Sequence, residues 1–513
     1  MKQYPSIFND VIGPVMIGQS SSHTAAALRI GRLIRQLAGD RAVKKISFSF
    51  DSQSSLATTH SSQGSDSGLL SGLLGFETSD KRIPDAVLYA DEAGIDYSFA
   101  VKDIGPGHPN AYYVDFTCSD GRHLTLTAIS AGGGMIEITD YAGFPVSIDG
   151  GFFETLIKCV SSQSKDLLER TRKILPAKHL LTISEKNGYS LINIKTEKEI
   201  ILYSPNTEIR RIKPVLPVIS QIKPRVPFVS AREILEYSEH RGKSFWELAV
   251  LYERERSGLS ALAIMREMTG IVDTLRHSLA APDNEKIKDR ILQNQARLIE
   301  NNDNILGGSF NRNVIKYVTR FMDIKTSLGV FVAAPTAGAC GCLSGCLFAL
   351  GEELGLSTDD LAKALLSAGL IGVIIAHHSS FAAELCGCQA ECGAGSAMAA
   401  AACAGILNCS IKTCLAAASM ALQNILGLVC DPVGNKVEVP CLGKNILGAF
   451  NAIASANMAA SGYAEVIPLD ETVAALDAVG HSIPRELRCT GLGGLSVTKT
   501  GLEISKGLEN DLC

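Results

Sequence analysis

The residues with the clearest chemical potential are cysteines in the second half of the chain. Thirteen of the 15 cysteines lie at or after Cys340. Cys388, Cys430 and Cys441 stand close to Gly or Pro, which allow the chain to turn and present sulfur atoms to a common point. The first ten residues lack the apolar core of a signal peptide, so we expect a cytoplasmic chain. Cysteines in such a chain are expected to be reduced thiols or metal ligands rather than disulfides.

A second group of reactive side chains precedes the first amphipathic segment. Ser20, Ser21, Ser22, His23 and Thr24 are consecutive, and helical spacing of apolar residues follows from Ala25 to Ala38. Hydroxyls and free amides at a helix N-terminus favour a bound carboxylate or phosphate. A simple N-cap requires one hydroxyl. The run therefore predicts an anion-binding site.

Six segments of the chain, which include the serine run and two of these cysteines, resemble the iron-sulfur-dependent L-serine dehydratase family. The matching segments occur in the family's order from the first helix to near the C-terminus. They are Ser20–Thr24, His108-Pro109-Asn110, Ser130 with Gly132-Gly133-Gly134, Ala334-Pro335-Thr336-Ala337-Gly338, Gly387-Cys388-Gln389-Ala390-Glu391 and Cys430-Asp431-Pro432-Val433-Gly434.

The resemblance implies a [4Fe-4S] cluster held by Cys388, Cys430 and Cys441. These cysteines are 42 and 11 positions apart, unlike the close cysteine pairs of zinc fingers or the tight spacing of ferredoxins. Three ligands leave one iron open to act as a Lewis acid on a substrate hydroxyl, and such an iron is expected to be oxygen-sensitive. A purely structural cluster is the alternative. The resemblance also makes Cys513 a candidate removable fourth ligand, although a terminal thiol is usually just mobile.

Most other cysteines of this half have a simpler interpretation. They lie among Ala, Gly and Leu, mostly at helical spacing, where a free cysteine behaves as a small buried hydrophobe. We expect packing roles for Cys340, Cys342, Cys346, Cys386, Cys392, Cys403, Cys409 and Cys414.

The chain departs from the family pattern where substrate should bind. Gln63 stands where the family has a titratable histidine, and His60 is a possible replacement. The substitutions that produce Lys325, His377 and His378 add cationic donors that suit a second carboxylate. The favoured reaction is therefore removal of water from 2-(hydroxymethyl)glutarate to give 2-methyleneglutarate. Dehydration of L-serine is the first alternative, and a noncatalytic iron-sulfur sensor that binds an amino acid is the second.

The predicted site divides into substrate-binding and proton-transfer groups. His23 is the first candidate for the base, and His60, His377 and His378 are the others, because a base must reach the proton beside the carboxylate. The substrate-binding candidates are Ser20, Ser21, Ser22, Thr24, Gln63, Asp66, Asn110 and Lys325.

The segment patterns predict an α/β N-terminal domain and an all-α C-terminal domain with a small α/β module between them. The resemblance assigns residues 1–150 to a carboxylate-binding domain and residues 230–513 to the iron-sulfur catalytic domain. Residues 151–213 form the module, which is either regulatory or a spacer. Residues 214–229 contain four prolines and read as an extended linker.

Composition narrows the range of partners. The 513 residues are 46% hydrophobic and 20% charged, with a net charge of -5, so no basic nucleic-acid surface is indicated. The apolar runs 365–376 and 394–407 are shorter than the roughly 20 residues that span a bilayer. We expect a small hydroxy acid as the partner, and the resemblance implies a dimer or tetramer.

Overall fold

The computed structural model describes residues 4–39, 41–105, 107–202, 207–282, 290–302 and 304–510, so Cys513 lies outside the described residues. An α/β region with two main sheets is followed by a region built almost wholly of helices. The predicted fold class is therefore confirmed. The predicted domain boundaries remain predictions.

The strands form a six-stranded mixed sheet, a four-stranded antiparallel sheet and a two-residue pairing. They are β1 (Val15–Met16), β2 (Val43–Asp51), β3 (Asp96–Lys102), β4 (Ala111–Cys118), β5 (His123–Gly132), β6 (Met135–Tyr141), β7 (Phe144–Ile148), β8 (Phe153–Val160), β9 (Leu180–Lys186), β10 (Tyr189–Thr196), β11 (Glu208–Ile212) and β12 (Phe331–Val332). The six-stranded order is β3-β2-β4-β5-β6-β7, with β2 and β3 parallel and the other pairs antiparallel. The four-stranded order is β11-β8-β10-β9.

The helices follow the same chain order. They are α1 (Ala26–Ala38), α2 (Leu56–Thr59), α3 (Ser65–Leu74), α4 (Ala86–Glu92), α5 (Ser164–Arg172), α6 (Ala231–Ser238), α7 (Phe245–Ser257), α8 (Ala261–Ala280), α9 (Ala296–Glu300), α10 (Gly308–Thr326), α11 (Cys340–Leu354), α12 (Thr358–His378), α13 (Ala383–Cys386), α14 (Cys392–Ile406), α15 (Ile411–Gln423), α16 (Cys441–Ala460), α17 (Leu469–Ser482) and α18 (Lys499–Asn510). The proline-rich residues 214–229 contain neither helix nor strand.

One predicted helix is only partly formed among the described residues. The apolar spacing predicts a helix from Asn284 to Asn301; residues 284–289 lie outside the described residues, residues 290–295 are not helical, and α9 forms from Ala296 to Glu300. Asp323 explains this locally, because its carboxylate accepts hydrogen bonds from the backbone amides of Gln295 and Ala296. A carboxylate that holds the free amides at a helix N-terminus favours a helix start at that point.

The first residues of the chain pack against the helical region. A π-helical turn, Ile7–Val11, buries Ile7 and Val11 against α12, and Glu253 of α7 accepts a hydrogen bond from the Ile7 amide at 2.9 Å. β1 then pairs with β12. The N-terminal strand pairing thus brings the α/β region beside the segment Ala334–Thr336 that precedes α11.

The helix α12 corrects the sequence-based argument about membranes. It has 21 residues and is long and apolar enough to cross a bilayer, whereas the sequence argument counted shorter runs. However, 78% of its most apolar window is buried within the described structure. The apolar surface of α12 is therefore explained by packing against other helices.

The helices α1 and α3 lie unusually close because glycines face each other. A Cβ atom on Gly72 of α3 would lie 2.1 Å from the carbonyl oxygen of Leu28 of α1. Gly31 and Gly68 are similarly crowded by the facing backbone. This contact holds the helix that follows the serine run against the α/β core.

We expect Gly72→Ala to destabilise the protein by about 1–3 kcal/mol or more, because the added methyl group forces two backbones apart. Gly270→Ala on α8 is the matched control, since no atom lies within 4 Å of the new Cβ. Alanine favours a helix by about 1 kcal/mol over glycine, so the control should be at least as stable as the parent. Chemical denaturation measures both, and equal stabilities would refute the close-packing argument.

Candidate active site

The serine run forms a π-helical turn, Ser21–Ala25, that leads into α1. Ser22 Oγ donates to Glu384 Oε1 at 2.9 Å, which joins the α/β region to the segment between α12 and α14. Ser21 Oγ accepts from the Ala337 amide at 3.2 Å, and Thr24 Oγ1 donates to the Gln63 carbonyl at 2.9 Å. The side chains of this turn thus contact three separate segments.

The hydrogen bonds of His23 define its tautomer. Thr59 Oγ1 donates to the Ser55 carbonyl at 2.8 Å, so it accepts from His23 Nε2, which is 2.8 Å away. The proton therefore lies on Nε2, and Nδ1 accepts from Ser20 Oγ at 3.0 Å. Burial lowers the pKa of His23 below its ordinary value, although Glu384 opposes this effect. His23 is a neutral imidazole whose basic nitrogen faces Ser20.

Several buried polar atoms near Glu384 have no partner among the residues that the structure describes. They are Glu384 Oε2, both amide atoms of Asn110 and the Ser130 hydroxyl. Asn110 and Ser130 are fully buried, and Ser130 N donates to the Asn110 carbonyl at 3.0 Å. Because buried polar groups are nearly always hydrogen-bonded, these atoms form a polar cradle suited to a small polar ligand.

The turn between β5 and β6 closes this cradle. Gly132, Gly133 and Gly134 all have positive φ, a conformation that favours glycine. A Cβ on Gly132 would lie 2.9 Å from the Ala382 amide nitrogen. The glycines therefore allow the hairpin that carries Ser130 to approach the segment that carries Glu384.

The proposed cluster ligands Cys388 and Cys430 lie together. Their sulfur atoms and a carboxylate oxygen of Glu391 are all within 4.8 Å of one another. Thr336 Oγ1 donates to Glu391 Oε1 at 2.6 Å. Burial raises the pKa of Glu391 to about 7, and the charge of Glu384 adds to this effect. This group of ligand atoms could hold a metal.

Cys441 is the first residue of α16, and its thiol lies near the same group of charged side chains. Burial raises the pKa of its thiol, as does Cys388, whereas Lys325 and Lys444 oppose the increase. Lys444 Nζ lies 3.9 Å from Cys388 Sγ and 2.8 Å from Asp431 Oδ1. Lys325 Nζ donates to the Val437 carbonyl at 2.5 Å. Two ammonium groups therefore stabilise negative charge on the thiols.

A further thiol lies in this group that the sequence analysis did not consider. Cys489 is 5% exposed and packs with Cys388 and Cys430, and its backbone amide donates to the Cys430 carbonyl at 3.0 Å. Hydrogen bonding to Cys388 and Cys489, with burial, raises the pKa of Cys430 well above its usual value. Gln63 Nε2 donates to Cys489 Sγ at 3.5 Å. Gln63 thus reaches the thiol group rather than the polar cradle.

Four of the predicted site residues make contacts that differ from those expected. Asp66 pairs with His60, whose Nδ1 lies 2.8 Å from Asp66 Oδ1, and His60 in turn lowers the pKa of His23. His377 stacks on Tyr4, and His378 Nε2 lies 3.1 Å from the Val229 carbonyl oxygen. His377 and His378 therefore face the N-terminal residues and the linker end instead of the cradle.

Four charged or titratable residues near the site were missing from the predicted set. Glu391 occurs in a segment that resembles the family, Glu384 lies six residues after His378, and Lys444 lies three residues after Cys441. His108 is close enough to Glu384 for that carboxylate to raise its pKa, although burial lowers it overall. An acidic residue inside a small-residue segment was the available signal for Glu384.

Comparisons with known proteins agree with this arrangement. A family model described as the serine dehydratase alpha chain matches residues 240–496. The chain is 33% identical over 282 residues to the L-serine dehydratase alpha chain of Peptoniphilus asaccharolyticus, which covers 54% of this chain and 97% of that protein. It is also 47% identical over 148 residues to the probable L-serine dehydratase beta chain of Bacillus subtilis (strain 168), covering 29% of this chain and 65% of that one. The L-serine dehydratase of Helicobacter pylori (strain ATCC 700392 / 26695) is 30% identical over 283 residues, which cover 53% of this chain and 62% of that protein.

The family match and these relatives indicate that the chain is a hydro-lyase. The chain belongs to the serine dehydratase family.

Glu384→Gln should raise stability and lower activity. A buried carboxylate with one unpartnered oxygen destabilises the fold, so neutralising it should stabilise the protein by about 1–3 kcal/mol. Loss of one hydrogen bond to a charged group should lower kcat/KM about 10- to 100-fold. Denaturation and steady-state kinetics measure the two effects.

Glu253→Gln is the control for this prediction. Glu253 is also buried but pairs with Arg256 at 2.7 Å, so its neutralisation should cost about 3–5 kcal/mol. If Glu384→Gln instead lost stability as Glu253→Gln does, Glu384 would be a structural residue rather than a ligand-binding one.

Proposed function

We propose that this protein is an iron-sulfur dehydratase of a small β-hydroxy α-amino acid, with L-serine as the favoured substrate. The observation that carries this proposal is the Glu384 carboxylate, which is buried beside Ser22 with an oxygen that has no partner among the described residues. An α-ammonium group would satisfy that oxygen and neutralise the charge. A second substrate carboxylate at this position would be repelled.

The preference for 2-(hydroxymethyl)glutarate depended on three cationic side chains. Lys325 Nζ is bonded to the Val437 carbonyl, and His377 and His378 face Tyr4 and Val229. These contacts leave the preference for a second carboxylate without support from Lys325, His377 or His378. The amino acid is therefore the better substrate class for this site.

The cradle residues have distinct roles in the proposed reaction. The Ser130 hydroxyl and the Asn110 amide, which have no partner among the described residues, orient the substrate carboxylate, while Glu384 binds its ammonium group. Ser20 lies between the cradle and His23 Nδ1. A proton that leaves the carbon beside the carboxylate can pass to Ser20 Oγ as the Ser20 proton passes to His23. The neutral state of His23 is required for this step.

The thiols support a [4Fe-4S] cluster held by Cys388, Cys430 and Cys441. The fit rests on three buried sulfur donors with Lys444 and Lys325 to balance their charge, and sulfur is the usual donor to such clusters. When bound, a cluster with three protein ligands supplies a Lewis-acidic iron for departure of the β-hydroxyl. Glu391 Oε2 lies 3.9 Å from Cys388 Sγ. At that position its carboxyl group can give a proton to the hydroxyl group as it leaves.

Cys388→Ala, Cys430→Ala and Cys441→Ala should each abolish the brown chromophore of anaerobically purified protein, because a cluster with two remaining ligands is lost. Iron content and visible absorption measure this. Cys414→Ala, at a buried packing position on α15, is the control and should keep the full cluster. We expect Cys489→Ala to keep it also. A full cluster in any of the first three variants would remove that cysteine from the ligand set.

Anaerobic assays with L-serine and with 2-(hydroxymethyl)glutarate test the substrate. We expect pyruvate and ammonia from L-serine at a kcat/KM at least about 100-fold above that for the diacid, since a misplaced charge in a buried site costs several kcal/mol. Formation of 2-methyleneglutarate without pyruvate would overturn the amino-acid assignment. An intact cluster with no turnover of either compound would favour the alternative of a noncatalytic iron-sulfur sensor.

A further inference from the structure

A second group of metal-ligating side chains lies outside the catalytic site. The Cys386 sulfur, an Asp477 carboxylate oxygen and a His481 ring nitrogen all lie within 4.8 Å of one another. Cys386 ends the short helix α13, and the other two residues are on α17. The sequence analysis assigned Cys386 to packing alone.

The helix α17 presents its two ligands on the same face as the thiol. Asp477 and His481 are four positions apart, so their side chains are neighbours on the helix surface. Gly480 leaves room for the sulfur, because a Cβ at that position would lie 2.7 Å from Cys386 Sγ. The thiol therefore sits directly against the helix between the carboxylate and the imidazole.

Neighbouring groups orient two of these ligands. Ser379 Oγ donates to Asp477 Oδ1 at 2.9 Å, and the other carboxylate oxygen, Oδ2, lies 3.6 Å from His481 Nδ1 and can face a cation. His481 Nδ1 lies 2.8 Å from the Asp477 backbone oxygen. A proton on Nδ1 leaves the lone pair on Nε2, and metal-binding histidines typically donate their second nitrogen to a carbonyl in this way.

The α8 pair Asp273 and His277 shows which feature distinguishes this group. His277 Nδ1 lies 2.7 Å from the Asp273 backbone oxygen, so the aspartate, the histidine and their spacing match those on α17. Among the described residues, no group of close metal ligands includes that pair. The buried sulfur of Cys386 is what the α17 pair has in addition.

We infer that Cys386, Asp477 and His481 form a binding site for a zinc-type divalent cation that is separate from the iron-sulfur ligands. Thiolate, imidazole and carboxylate together are the donors that zinc prefers, whereas magnesium and calcium take oxygen. The thiolate and the carboxylate balance the two positive charges. Asp477 and His481 are partly exposed, so water can complete the coordination from the solvent side.

The bound cation would hold the segment from Ser379 to Cys388 against α17. Ser379 and Cys386 flank Glu384, and Cys388 follows two residues after Cys386. A cation held jointly by α13 and α17 restrains this segment from both sides. The site is thus a positioning device for Glu384 and Cys388, and it takes no direct part in the reaction.

Cobalt titration of the anaerobically purified protein tests the site, because thiolate-bound Co²⁺ gives a charge-transfer band. We expect the parent and His277→Ala to bind one Co²⁺ with this band. His481→Ala and Asp477→Asn should weaken binding at least about tenfold, and Cys386→Ser should lose the band. Zn²⁺ should displace the cobalt and raise the Tm of the parent but not of His481→Ala.

The double variant Cys388→Ser/Cys430→Ser separates this inference from the proposed function. It should lack the iron-sulfur chromophore yet keep the cobalt band. Loss of the band in that variant would place the cobalt at the catalytic thiols and overturn the inference. Equal cobalt affinity in the parent and His481→Ala would overturn it as well. Because His481 is exposed, its substitution keeps the test independent of folding. A parent protein without iron would refute the cluster but not the cobalt site.

Discussion

The hydrogen bond between Ser22 and Glu384 connects residues that are 362 positions apart, and the proposed chemistry depends on it. The bond places the N-terminal turn of the α/β region against the segment that leads to Cys388. Both partners are buried, so the interaction is poorly screened by water. This junction between the α/β region and the helical region places the polar cradle beside the thiol group.

The junction concentrates ionisable groups that would be unfavourable in an ordinary core. Glu384 and Glu391 repel each other across it, and buried thiols surround Glu391. The two lysines Lys325 and Lys444 offset part of this negative charge. A protein retains such a cluster at the expense of stability when binding or catalysis requires it. The unpartnered oxygen of Glu384 has the same explanation.

Small residues permit the close approach on which the junction depends. Because Gly132 has no side chain, the backbone at Ala382 can approach it closely, and Gly72 allows the same approach by the backbone at Leu28. Together they position Ser130 and the serine turn toward the same cradle. The abundance of Gly and Ala in the helical region therefore reflects the close packing of α-helices, including the 21-residue α12, as well as the geometry of the site.

The sequence alone determined the local elements and the reaction family. Hydrophobic periodicity predicted α1, because that pattern depends on neighbouring residues. It failed for residues 290–295, because the side chain of Asp323, distant in sequence, sets the start of α9. The spacing of Cys388, Cys430 and Cys441 was visible through resemblance to a family with a distinctive motif.

Only the tertiary structure decided which polar side chains face one another. Glu384 was not among the site residues predicted from the sequence, yet it contacts the serine turn, whereas His377 and His378 are directed to Tyr4 and Val229. Cys489 and Cys386 were ordinary cysteines in the sequence, and they acquire chemical partners only when Gln63, Cys430 and α17 are brought beside them. Such contacts join residues tens to hundreds of positions apart, and no local pattern of residues encodes them.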